Sequence, residues 1–389
     1  MPTGLTIAAL LSTPPLVSAS PLVSASPLMA ASPLVSASPL VSASPLAAAL
    51  AEPAVAAEHA AAPARVCTIR DERLDEISGM VATGDGYVVV NDGSDFADRR
   101  RIFFLNKTCR VTRTVKYPSR PRDTEDLGRA ADGTLWVADI GDNGRSRSTV
   151  ALWKLAPGAK SPVLHRLSYP DGPHDAEALL VSPTGDPIVV TKSGGTAVLY
   201  VPARALRRDA TTPLRRAGEV TVPLTGTSNP FSFLGRAVVT GAATSPDGRH
   251  VVLRTYADAF EYDVPDGDPV RALTSGRPHQ IPLPDEPQGE SLTYSSDGNA
   301  VLTVSEASGQ QAGLRPVILR YALADRPATA ASPASPAASN SSSAAAPAGP
   351  RPVAESGSSS FDYIAVVAGA VALLGVFLAI VLTRRARRR

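Results

Sequence analysis

One motif recurs five times along the middle of this chain, about fifty residues apart, and it restricts the fold more than any other feature. Each copy begins with a short segment: residues 76–80, 125–129, 177–181, 240–244 or 290–294. A Gly/Asp turn follows: Gly84-Asp85-Gly86, Asp132-Gly133, Thr184-Gly185-Asp186, Asp247-Gly248 or Asp297-Gly298. Gly and Asp tolerate the positive φ of a tight hairpin. An apolar run rich in β-branched residues comes next, at 87–90, 135–138, 188–190, 251–253 and 301–304, and reads as a strand.

Further strands fit between the copies, at 101–105, 111–116, 150–154, 197–201, 259–262 and 317–321. No long amphipathic helix interrupts them. A repeat of this length with four strands per copy predicts an all-β fold, a β-propeller over residues 65–324. Five hairpins are visible, and the longer gap between the third and fourth leaves room for another. The expectation is five or six blades, with six favoured. Residues 66–69 are placed to pair with the last blade and close the ring. Trp136 and Trp153, flanked by strand residues, are expected in the core.

The middle region resembles the six-bladed propellers of bacterial exported proteins, including TolB-like and phytase-like domains. The likeness rests on Asp139-Ile140-Gly141-Asp142-Asn143, Asp175-Ala176-Glu177-Ala178-Leu179, Ser245-Pro246-Asp247-Gly248 and Gln288-Gly289-Glu290-Ser291. It covers the propeller only and implies architecture rather than activity. The full metal- and phosphate-binding set of a phytase has no counterpart here.

The two ends differ from the middle. Residues 1–64 contain no Lys or Arg, and Pro15 to Leu46 repeats Pro-Leu-Val-Ser-Ala-Ser with a period of six. Such low-complexity sequence does not build a packed core. The small-x-small triplet Ala49-Leu50-Ala51 resembles a signal-peptidase site, so a signal peptide is expected in this region, although the usual basic start is missing. Residues 325–360 are rich in Ala, Ser and Pro and predict a disordered linker, able to reach about 100 Å when extended. A transmembrane helix is expected at 361–383; its apolar stretch from Ile364 to Leu382 carries no charge and approaches the thickness of a bilayer. The tail 384–389 holds five arginines, which places it in the cytoplasm. The expected arrangement is a single-pass protein of the cell membrane with an extracellular propeller.

The formal charge is only +2, so nothing points to nucleic acid. The two cysteines, Cys67 and Cys109, are expected to form a disulfide in an exported domain, or else to be two buried thiols. They have no metal-site spacing.

Hairpin geometry carries the functional expectation. Residues just before the first strand of a blade and just after the second are neighbours in space. Glu76, Glu125, Glu177 and Glu290 head four of the five first strands, and Thr240 heads the other. Asp75, Asp123, Asp126 and Asp175 lie beside them. After the returning strands come Asn91, Asp92, Asp95, Asp139, Asp142, Asn143 and Glu306, with Lys192 and Arg254 in the same place in two copies. A propeller would gather these carboxylates at one mouth of its channel. Clustered oxygen ligands suit a hard cation, Ca²⁺ above all. The expected ligands are Glu76, Glu125, Asp139, Asp142, Glu177, Glu290 and Glu306. The competing reading is that the repeated glutamates bond backbone N–H groups or pair with Arg and Lys between blades.

Catalytic motifs are absent: no nucleophile elbow, no His-Glu-x-x-His and no Walker A loop. His174, beside Asp175 and Glu177, is a candidate acid or base. Lys192 and Arg254 are candidates to clamp an anionic group. The leading expectation is a binding or scaffolding module for an extracellular ligand or cell-envelope component. The alternative is a Ca²⁺-dependent hydrolase acting on phosphate esters.

Overall fold

The computed structural model describes residues 62–307 and 314–323. The expected signal region, linker, transmembrane segment 364–382 and basic tail lie outside the described residues, among which no helix is long and apolar enough to cross a membrane.

Strand β1 (Ala64–Thr68) comes first in the chain and belongs to the last blade. The first blade is β2 (Ile77–Thr83), β3 (Gly86–Asn91), β4 (Arg101–Asn106) and β5 (Val111–Lys116). The second is β6 (Asp126–Arg129), β7 (Leu135–Asp139), β8 (Val150–Leu155) and β9 (Val163–Ser168). The third is β10 (Ala176–Val181), β11 (Pro187–Thr191), β12 (Thr196–Pro202) and β13 (Thr212–Thr221). After the short helix α1 (Ser232–Gly235) the fourth blade is β14 (Gly241–Thr244), β15 (His250–Arg254), β16 (Asp258–Asp263) and, past α2 (Pro269–Ser275), β17 (His279–Pro282). The fifth holds β18 (Gly289–Tyr294), β19 (Ala300–Ser305) and β20 (Val317–Ala322). Its outer strand is β1, antiparallel to β20, as expected of residues 66–69.

Every blade is an antiparallel meander, with its first strand innermost. The innermost strands pack in the cyclic order β2, β6, β10, β14, β18 and back to β2. The ring formed by the described residues thus closes on five blades, not on the six favoured from the sequence. The long interval that left room for a sixth is taken up by ten-residue β13 and by the loop carrying α1. Strand β13 also makes a short parallel pairing with β9 of the second blade.

Side-chain alternation builds the core. Successive residues of a strand point to opposite faces, so each blade serves two neighbours. In β10, Ala178 and Leu180 pack toward the fourth blade, while Leu179 and Val181 pack toward the second. Five apolar clusters result, one in each space between blades. Trp153 fills the space between the first and second, and Trp136 the next. In all five hairpins a turn glycine has positive φ: Gly86, Gly133, Gly185, Gly248 and Gly298, where a side chain would be strained.

Cys67 and Cys109 form a disulfide, with Cα atoms 6.0 Å apart. Cys67 belongs to the closing strand β1, and Cys109 to the turn between β4 and β5. The bond therefore spans the seam between the last blade and the first.

Candidate cation site at the strand-head mouth

The inner strands all begin at one end of the ring, and the second strands return to that end. Backbone bonds fix this adjacency in each blade. Asp92 N–H donates to Glu76 O, Glu125 N–H to Ala138 O, Lys192 N–H to Asp175 O, Thr240 N–H to Arg254 O and Glu306 N–H to Gln288 O, all at 2.8–2.9 Å.

Three carboxylates meet between the first and second blades: Asp92, just past β3, and Asp123 and Glu125, just before β6. One oxygen from each lies within 4.8 Å of the others. Two cross-blade bonds hold the segment in place. Thr124 Oγ1 donates to Asn91 O (2.5 Å), and Ser78 Oγ donates to Thr124 O (3.0 Å). Two glycines make room for the carboxylates. A Cβ at Gly141 would collide with Glu125 Oε1 and lie 2.7 Å from Asp123 Oδ2; one at Gly93 would collide with Asp123 Oδ1.

Burial and neighbouring acids dominate the electrostatics of the group. Glu125 is enclosed, and burial pushes its carboxyl well above the usual range, reinforced by Asp92, Asp123, Glu177 and Glu290. Burial and then Asp175 push Asp123 up to about 6, against a smaller opposing pull from Arg147. These mutual influences place Glu177, Glu290 and Asp175 around the same mouth. Buried Glu177 pairs with Lys192 through one oxygen, while Oε2 has no hydrogen-bond partner. Burial would lower the Lys192 ammonium, but Glu177, Tyr256 and Glu290 outweigh it and keep the charge. Tyr256 Oη lies 3.3 Å from both Lys192 Nζ and Glu290 Oε1, and Gln288 donates to the same glutamate oxygen.

An all-oxygen donor set, side chains pressed together against their own repulsion and a cradle kept open by two glycines together fit a hard divalent cation. Of the seven expected ligands, the structure brings Glu125, Glu177 and Glu290 to this mouth. It adds Asp92 and Asp123, which the sequence reading placed nearby but left out of the ligand set.

The remaining expected ligands have other partners. Asp139 accepts from the N–H groups of Arg122 and Asp123, from the Arg147 guanidinium and from Trp153 Nε1. Asp142 accepts from Ser146 and Arg147 N–H and so organises its own loop. Glu76 lies 3.7 Å from the Arg99 guanidinium. Glu306 is buried just beyond β19, its N–H tied to Gln288. For Asp139, Asp142 and Glu76, the competing reading of backbone and arginine partners describes what is seen.

The clamp candidate Arg254 differs from expectation. Arg254 is fully buried, and its guanidinium turns away from solvent to Glu286 (2.5 Å) and Ser291 O (2.8 Å). Burial would raise the Glu286 carboxyl. Arg254, Thr303 and Tyr321 reverse this and hold it below the ordinary value. Arg254 is thus a latch between the fourth and fifth blades. His174 hydrogen-bonds Asp171 and Tyr200, each at 3.0 Å, and stands edge-on to Tyr169.

No protein-family model matches the chain, and no curated protein matches it. Solved structures similar to it include a gluconolactonase of Xanthomonas campestris described as important in glucose secondary metabolic pathways. That likeness has 14% identity and a TM-score of 0.35, over 63% of this chain and 71% of the other. Virginiamycin B lyase from Staphylococcus aureus gives 10% identity and a TM-score of 0.32, over 66% and 73%. Likenesses this distant carry nothing about activity.

Proposed function

We propose that this chain is a membrane-anchored propeller of the cell surface that binds a divalent cation, Ca²⁺ by its donor set, and uses the loops around that site to bind an extracellular ligand or cell-envelope component. The observation behind this reading is the meeting of Asp92, Asp123 and Glu125 in a glycine cradle. Asp92, Asp123 and Glu125 would hold the ion, with Glu177 close enough to act on Glu125 electrostatically. A bound ion there would offset the repulsion among the carboxylates and fix the first two blades against each other. Exposed Phe96, between β3 and β4, and exposed Phe233, in α1, stand on loops at the same end. Large apolar side chains left in water on one face suit a binding surface.

Calorimetric titration of the full-length protein with Ca²⁺ tests the reading. Wild type is expected to bind with a measurable heat, and Glu125→Gln with Asp123→Asn to abolish it. No heat and no melting shift in wild type would remove the site. The hydrolase alternative keeps Lys192 as a cation beside the carboxylates but loses its second clamp, because Arg254 is enclosed. Ca²⁺-dependent turnover of phosphate esters, lost in Lys192→Met, would favour it over the binding module.

A further inference from the structure

The innermost strand of each blade pairs with a neighbour on its outer side only, so its inward edge carries N–H groups that need acceptors. Asp126, the first residue of β6, meets this need across three blades. Its Oδ1 accepts from its neighbour Leu127 N–H at 2.7 Å. Its Oδ2 accepts from Leu179 N–H of β10 at 2.7 Å and from Ala242 N–H of β14 at 3.3 Å. The side chain is 0% exposed, and among the described residues no basic group pairs with it. Three backbone amides from three inner strands thus form a cradle for one carboxylate.

Position along the strand gives this carboxylate a second consequence. Glu125, one residue earlier, faces the acidic mouth. Leu127, one residue later, lines a cavity of about 370 Å³ that opens toward the hairpin turns. Leu179, whose amide Asp126 holds, lines the same cavity, with Val181, Ala243, Thr244 and Thr293. Asp126 therefore stands between the two spaces.

We propose that the propeller axis contains a built carboxyl site, formed by the amides of Leu127, Leu179 and Ala242, and that Asp126 fills it as a tethered carboxyl group, joining three blades and separating the mouth from the opposite cavity. The site would take a small carboxylate once the tether is removed. This proposal is independent of cation binding, because its contacts are all within the chain.

The test uses the full-length protein and its Asp126→Ala and Asp126→Asn variants, with formate as the probe and chloride at equal ionic strength as the control. Asp126→Ala is expected to melt below wild type and to recover, saturably, with formate but not chloride, while wild type shows no such response. Folding of Asp126→Ala only in the presence of formate is the same result in a stronger form. Melting of Asp126→Ala like wild type, or equal stabilisation of both by formate, overturns the proposal. If Asp126→Ala does not fold in either salt, hydrogen exchange in Asp126→Asn decides. Exchange at the Leu179 and Ala242 amides faster by about tenfold or more supports the tether, and unchanged protection overturns it.

Discussion

At the scale of single residues, the acidic mouth depends on two positions with no side chain. Gly93 and Gly141 follow the returning strands of the first and second blades, and each leaves space that a carboxylate enters. Gly141→Ala would set a methyl group against Glu125 and Asp123 and push both aside. Cation affinity should fall by about tenfold or more, while Gly144→Ala, whose Cβ would meet only Ser146 Oγ at 3.7 Å, should leave it unchanged. Paired calorimetric titrations of the two variants check this. The dipeptides Asp92-Gly93 and Gly141-Asp142 are plain in the sequence, yet the spaces beside the glycines are not. The carboxylates that fill them arrive from residues 123 and 125.

Arg254 carries the same lesson. Its place after a returning strand suggested a mouth cation, but inside the ring a guanidinium finds Glu286 and a backbone carbonyl. Hydrogen-bonded pairing is what makes burying such a charge tolerable.

Among the elements, strand β1 and the first blade have the clearest dependence on each other. The ring closes by backbone pairing of β1 with β20 and by the apolar seam containing Ile69, Ile77, Phe103, Val304 and Ile318. The Cys67–Cys109 bond ties that seam across a sequence separation of 42 residues. Loop-closure entropy for a span of this size gives a contribution of about 4 kcal/mol. The double variant Cys67→Ser/Cys109→Ser should melt lower than wild type by a corresponding amount. Reductant should bring wild type to the same temperature and leave the variant unmoved. Hydrogen exchange should then open β1 and β20 first.

Most elements were visible before folding because the hairpin pattern is local: alternation, a turn glycine and a β-branched run. The outer strands β9, β13 and β17 and the helix α2 were not anticipated. Outer strands are partly exposed, as in the pattern of β13, and their mixed composition gives no clean alternation. Helix α2 has seven residues, too few to show a helical period, although Asp268 caps it through Val270 and Arg271 N–H with Pro269 following.

For the whole molecule, the accumulation of buried acids sets an unusual pH dependence. Asp123 is raised by burial and Asp175 from 3.8 to about 6, and Asp126 by burial to about 8. A carboxyl with a raised folded pKa binds its proton more tightly in the native state. Its contribution is thus most favourable below the unfolded value and is lost as pH rises through the folded one. For Asp123 the change amounts to about 3 kcal/mol. Asp71, Asp171 and Glu286 are lowered and act in the opposite sense, in a range below about pH 4. In the presence of a chelator the melting temperature should therefore decline between about pH 5 and pH 8, and Ca²⁺ should raise it most at the upper end, where the carboxylates are ionised. Melting curves across that range check both statements; a flat profile without Ca²⁺ would contradict the first.

The repeat alone was enough to determine the β-propeller, the positions of its hairpins and the closing strand, because each follows from local periodicity, whereas the pairing of the two cysteines was left open between a disulfide and two buried thiols. Which acids share a space was decided by the ring. The rotation from blade to blade brings residue 92 against 123 and 125, sends Asp126 inward to the amides of two other blades and turns Arg254 toward Glu286. Those meetings join residues 31 to 116 positions apart, and they depend on blade number, twist and strand parity, quantities that exist only once the circle of inner strands is complete.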